Sequence, residues 1–213
     1  MNSEKENMRQ EKTIILTARV MSMVFTPFYL PLVGLIALFT LSYLSQMPWR
    51  YKFQVLTIVY LFTILLPTFL IHLYRRYQGW TLIQLGNKER RMVPYVISIL
   101  CYFACTYWMD YQHIPHFMGN IVTAALFLQI VCALVNVWWK VSTHTAAIGG
   151  VAGALFVFGE LFAFNPVWWL CLVIVLAGIL GTSRMILRQH TLSQVVGGFF
   201  IGLVCSIAGL LYV

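Results

Sequence analysis

Residues 118–144 read MGNIVTAALFLQIVCALVNVWWKVSTH. From 118 to 139 the run is apolar and carries no charge, and it ends on Trp138 and Trp139. A cluster of a different kind follows at once: Lys140, Ser142, Thr143 and His144. About 20 consecutive apolar residues span the hydrocarbon core of a bilayer as a helix, and tryptophans gather where such a helix meets the headgroups. Residues 118–139 therefore read as a transmembrane helix that delivers a polar, cationic segment to one membrane face.

Working outward, runs of the same character occupy 20–44, 53–74, 94–111, 145–164, 166–182 and 191–213. The fold class expected is all-α, a polytopic transmembrane helical bundle of six or seven spans. The ambiguity comes from 166–182, which is short and joined to 145–164 by a tight turn at Asn165–Pro166. Pro27 and Pro31 are expected to kink the first span. The polar start of the chain, residues 1–19, reads as a cytoplasmic tail with no removable signal peptide, and residues 20–213 as the transmembrane domain.

Composition agrees. Of 213 residues, 61% are hydrophobic and 9% charged, against about 25% charged in soluble domains. That excludes a soluble globular domain, a disordered tail and a nucleic-acid-binding module. The net charge of +8, from 14 basic and 6 acidic residues, points instead to phosphate, in lipid headgroups or in a site. Cys101, Cys105, Cys132, Cys171 and Cys205 all sit in apolar runs and read as small buried hydrophobes.

With seven spans, every Lys and Arg except Arg50 and Lys52 falls on one side. The positive-inside rule makes that side cytoplasmic, as for a protein of an inner (cytoplasmic) membrane. Three short segments meet on that side. They are Lys88-Glu89-Arg90-Arg91-Met92-Val93-Pro94, Lys140-Val141-Ser142-Thr143-His144, and the stretch from Ser183-Arg184 to His190-Thr191-Leu192-Ser193-Gln194. Arginine presents a rigid fork of donors to phosphate oxygens, and Ser142 and Ser183 can donate to an equatorial oxygen. One imidazole can attack phosphorus while another protonates the leaving alkoxide. The acids are Glu4, Glu6, Glu11, Glu89, Asp110 and Glu160. Outside the tail only Glu89 is on this side, too few carboxylates for a magnesium site, so metal-independent chemistry without a cofactor is expected.

The third segment, Ser183-Arg184, five residues, His190, three residues and Gln194, then Val195-Val196-Gly197-Gly198, resembles the last motif of the type 2 phosphatidic acid phosphatase (PAP2) superfamily. Val141-Ser142-Thr143-His144 keeps the Ser and His of that family's Pro-Ser-Gly-His motif. Lys88, Arg91 and Pro94 supply the residue types of its Lys-to-Arg-Pro motif at compressed spacing. The resemblance covers about residues 85–205 and is to the short, divergent bacterial members. It implies that His190 is a nucleophile forming a phosphohistidine and that His144 is the general acid. It also implies that Arg184, Lys88 and Arg91, with Ser142, clamp the phosphate. Lys140 and Arg188 have no counterpart and are assigned secondary phosphate contacts. Gln194 stands where the family has Asp; its oxygen can accept the ring N–H of His190 but brings no charge.

The function this implies is hydrolysis of a phosphomonoester or diphosphate lipid headgroup, with phosphatidylglycerophosphate as the substrate that fits a cytoplasmic site. The alternatives are an undecaprenyl diphosphate or lipid A phosphatase, or a non-catalytic lipid-phosphate binder or flippase on the same fold. A proton-coupled transporter using Asp110 and Glu160 fits less well, because both acids lie near span ends and no internal repeat is evident. Other residues take plainer readings. Arg75, Arg76 and Arg90 are headgroup anchors, and His72 is a structural hydrogen bonder. His113 and His116 lie in a surface turn, and Gln129 and Asn136 bond across helices. Gly149-x-x-x-Gly153 and Gly198-x-x-x-Gly202 are expected to bring the fifth and seventh spans close, and with them His144 and His190.

Overall fold

The computed structural model describes residues 2–78, 88–163 and 165–212; within these, the side chains of residues 2–8, 41, 43, 88–91 and 212 are outside the description. All regular structure among the described residues is helical. The helices are α1 (Asn2–Val24), α2 (Leu30–Leu41), α3 (Trp49–Tyr60), α4 (Leu66–Gln78), α5 (Lys88–Tyr111), α6 (His116–Trp138), α7 (Thr143–Phe162), α8 (Val167–Ile186) and α9 (Leu192–Tyr212). Grouped across their breaks, they give 7 stretches long and apolar enough to cross a membrane.

The breaks follow from proline. Thr26, forced out of the helical region by Pro27, is extended at φ −76° and ψ 147°. A single 3-10 turn, Pro27–Tyr29, then reorients the chain into α2. Pro31 causes no kink, because it sits in the first turn of α2, where a missing N–H costs nothing. In the second span, Pro67 has no N–H to offer the carbonyl one turn back. A π turn over Leu61–Leu65 precedes it, with the Leu66 N–H reaching Leu61 O, and so absorbs the defect.

Several boundaries differ from those read in sequence. The polar start is helical from Asn2 as the first part of α1, with residues 9–17 exposed, and continues into the span without interruption. α5 begins at Lys88 and carries Pro94 inside it. α8 is a full-length span whose last turn includes Ser183 and Arg184, which the sequence had placed in a connecting segment. Polar residues at the end of a span look like a loop in sequence, yet a helix can carry them into the headgroup layer. Cys171 is exposed on the outer surface of α8, whereas Cys101, Cys105, Cys132 and Cys205 are buried.

The tightest packing in the bundle joins α7 to α9. A Cβ on Gly153 would lie 2.6 Å from the Leu203 carbonyl oxygen, and one on Gly198 would lie 2.6 Å from the Ser142 carbonyl oxygen. Gly149 meets the backbone of Phe199, and Gly202 that of Ala146. The partner numbers rise together, so the two helices run parallel, backbone against backbone, as small residues at four-residue intervals permit. α7 is the most buried span. The broken first span follows it, with Leu30 beside Gly150 and Leu35, Leu38 and Phe39 in one cluster with Phe158. That cluster, which also holds Val55, Val59, Met109 and Met118, fills the end of the bundle away from His144. The end that carries His144 holds a cavity instead.

Candidate active site

The cavity has a volume of about 700 Å³. Its rim is made by the start of α5 (Pro94, Tyr95), the end of α6 and its connection (Asn136, Lys140) and the start of α7 (Thr143, His144). Arg184 in the last turn of α8, with Gln189 and His190 before α9, completes it. Its inner wall includes Pro27, Phe28 and Leu30 from the break in the first span. No carboxylate lines it among the described residues, and its cations are Lys140 and Arg184.

His144 occupies the first turn of α7, whose N-cap is Ser142. Arg184 and His190 are near enough to act on its ring electrostatically, and the Ser22 backbone lies within hydrogen-bonding reach of it. Its Nδ1 is buried without a partner. Arg184 donates from Nη1 to Ser22 Oγ at 2.6 Å, while its Nε is also buried without a partner. Buried polar atoms are nearly always paired. Two unpaired ones, on His144 and Arg184, which line one cationic cavity at a helix N-terminus, are chemically suited to an anion.

His190 lies with its Nδ1 3.2 Å from Gln194 Oε1. The same oxygen accepts from the Thr191 backbone N–H at 3.2 Å, as the third residue of a helix does in a capping box. An amide oxygen can only accept, so Nδ1 carries the proton in this pairing and Nε2 keeps its lone pair. Gln194 thus fixes both the start of α9 and the tautomer of His190.

The other candidates are placed as follows. Ser142 is fully buried; its Oγ accepts from the Thr145 N–H, and its own N–H bonds the Gln194 carbonyl at 3.3 Å, tying the second segment to the third. Ser183 turns back on its own helix, Oγ to Ile179 O at 2.8 Å. Neither serine lines the cavity. Lys140 does, with Nζ on the Gln189 carbonyl at 2.6 Å. Arg188 is exposed in the turn after α8 with φ 52° and does not line the cavity. Lys88 and Arg91 open α5, and their side chains lie outside the described residues. On the opposite face, His116 Nδ1 stands 4.0 Å from Asp110 Oδ1, both exposed. No cluster of metal-ligating residues occurs among the described residues.

Three contributors escaped the sequence reading. Ser22 is a lone serine in an apolar run, and only the fold brings it to Arg184. Tyr95 and Tyr102 gave no periodic signal either. Tyr95 Oη accepts from Asn136 Nδ2 at 2.6 Å, and Asn136 Oδ1 takes the Val141 N–H at 3.3 Å. This chain of bonds ties α5 to α6 and to the segment that carries Ser142. Tyr102, fully buried, donates to the Phe28 carbonyl at 3.4 Å.

Compared with known proteins, the chain matches the family model described as the PAP2 superfamily over residues 92–213, more than half its length. No curated protein and no solved structure gives a significant match.

Proposed function

The chain belongs to the PAP2 superfamily, whose members are generally phosphatases, and from that premise we propose that it removes phosphate from a membrane lipid through a phosphohistidine. The observation that carries the reading is that His144, Arg184 and His190, from three separate segments, line one cavity. The lipid phosphate lies against the Arg184 guanidinium and the N-terminus of α7, where the two unpaired nitrogens supply hydrogen bonds. His190 Nε2 attacks phosphorus in line. The P–N bond forms as the P–O bond breaks, and His144 gives its proton to the departing alkoxide. Water then attacks phosphorus, His144 takes a proton from it, the P–N electrons return to Nε2, and inorganic phosphate leaves. The protein's part is positioning and charge stabilisation.

The substrate class we assign is a glycerophospholipid phosphate, with phosphatidylglycerophosphate as the type, and the active face is the cytoplasmic one. Both rest on the distribution of Lys and Arg, which crowd the end of the bundle that holds the cavity.

The test is phosphate release from detergent-solubilised protein given phosphatidylglycerophosphate in EDTA. His190→Ala is expected to lower the rate by about 10³-fold or more, and ³²P-labelled substrate to leave an acid-labile, alkali-stable label on the wild type. His144→Ala is expected to lose far less on a p-nitrophenyl phosphate ester, whose leaving group needs no proton. Full activity in His190→Ala would reject the reading. Lipid binding without phosphate release in the wild type would favour a non-catalytic binder.

A further inference from the structure

Below its cationic rim the cavity is walled by Phe28, Leu30, Ala125, Leu128 and Cys132, a surface suited to hydrocarbon. Gln129 interrupts it. Gln129 lies two helical turns before Asn136 on α6, and Tyr102 two turns after Pro94 on α5, so both sit about 10 Å below the rim. The break in the first span leaves the Phe28 carbonyl without a helical partner, and the Tyr102 hydroxyl donates to it at 3.4 Å. Gln129, which lines the same cavity as Tyr102, has its Oε1 buried without a partner. The nearby Ser98 hydroxyl bonds Pro94 O on its own helix at 2.7 Å and does not serve it.

A buried acceptor without a partner is costly, and on a residue that lines the cavity that cost is relieved by a bound lipid that brings a donor to it. We infer that Gln129 is a specificity residue that reads a hydroxyl or amide N–H in the polar backbone joining the lipid's phosphate to its hydrocarbon. The site thereby disfavours polyprenyl phosphates, whose chains offer no donor. This rests on the reading of the cavity as a lipid-phosphate site and narrows its substrate class. Sites built to bond a polar substrate group reject analogues that lack it, because their own group is left unpaired.

The experiment compares four probes: phosphatidylglycerophosphate, its analogue lacking the free glycerol hydroxyl, a ceramide phosphate and a polyprenyl monophosphate. Each is measured by kcat/KM in wild-type and Gln129→Leu protein, and by Kd in a His190→Ala background. Wild type is expected to prefer at least one donor-bearing lipid over the polyprenyl phosphate by about tenfold or more. Gln129→Leu is expected to bring that ratio close to one. The hydroxyl and amide arms identify which donor is read. Gln129→Met, closer in volume, replaces Gln129→Leu if a thermal melt in detergent shows that the leucine variant is not folded. A wild-type preference for the polyprenyl phosphate, or a ratio unchanged by the substitution, overturns the inference. Absence of phosphate release from every probe, with the Kd ratios still shifted by the substitution, overturns the phosphatase reading and leaves this one standing.

Discussion

Gln194 serves two groups with one oxygen, the His190 ring and the Thr191 N–H. Its two roles separate by substitution. Gln194→Glu keeps the length and both bonds and adds a charge beside the ring, as the family's Asp would. Phosphate release is expected to rise by up to about tenfold, read as kcat with a stopped colorimetric assay. Gln194→Leu removes both bonds; activity is expected to fall about 100-fold as the tautomer is freed. Thermal stability is also expected to drop by about 1 kcal/mol from the lost cap. Ser22 invites a similar test. Ser22→Ala leaves the Arg184 guanidinium without its 2.6 Å acceptor. As a positioning change it is expected to raise KM for the lipid phosphate about tenfold, with a smaller effect on kcat, and Ser22→Thr is expected to restore most of the loss.

Among the elements, α7 and α9 set the geometry. Their contact is backbone to backbone at Gly149, Gly153, Gly198 and Gly202, so even one methyl has nowhere to go. Gly202→Ala is expected to lower stability by about 1–3 kcal/mol, whereas Gly178→Ala, at a site with open space, is expected to be neutral; thermal denaturation in detergent measures both. This seam was legible in sequence, since small residues four apart in an apolar run carry a geometric meaning. So was the meeting of His144 with His190, because span parity and the seam both require it. Ser22 was not, because a single serine in an apolar run has no period and its relevance depends on a partner in α8, far along the chain. Nor were the true starts of α5 and end of α8, where polar residues continue a helix that hydropathy alone would stop.

At the scale of the whole molecule, the family match starts at residue 92, yet the cavity wall includes Pro27, Phe28 and Leu30 from the broken first span. The first span therefore builds part of the cavity wall and does more than anchor the matched region. Sidedness is tested here too. A reporter inserted between Gln78 and Lys88 is expected to give the cytoplasmic signal, and one placed after Tyr111 the opposite one. The reverse pattern would move the substrate to lipids of the outer leaflet. The exposed surfaces of α5 and α8, with Leu100, Phe103, Ile174 and Val175 outward, are lipid-facing in either orientation.

The parallel seam has a mechanical consequence. Bilayers swell, thin and tilt their guests with temperature and lipid composition, and most helix pairs answer by sliding on pliable side chains. Two rods locked main chain to main chain have no such cushion, so α7 and α9 travel as a single girder. The imidazoles at their heads keep their separation while the surrounding spans drift, and catalysis should depend less on membrane thickness than lipid entry does.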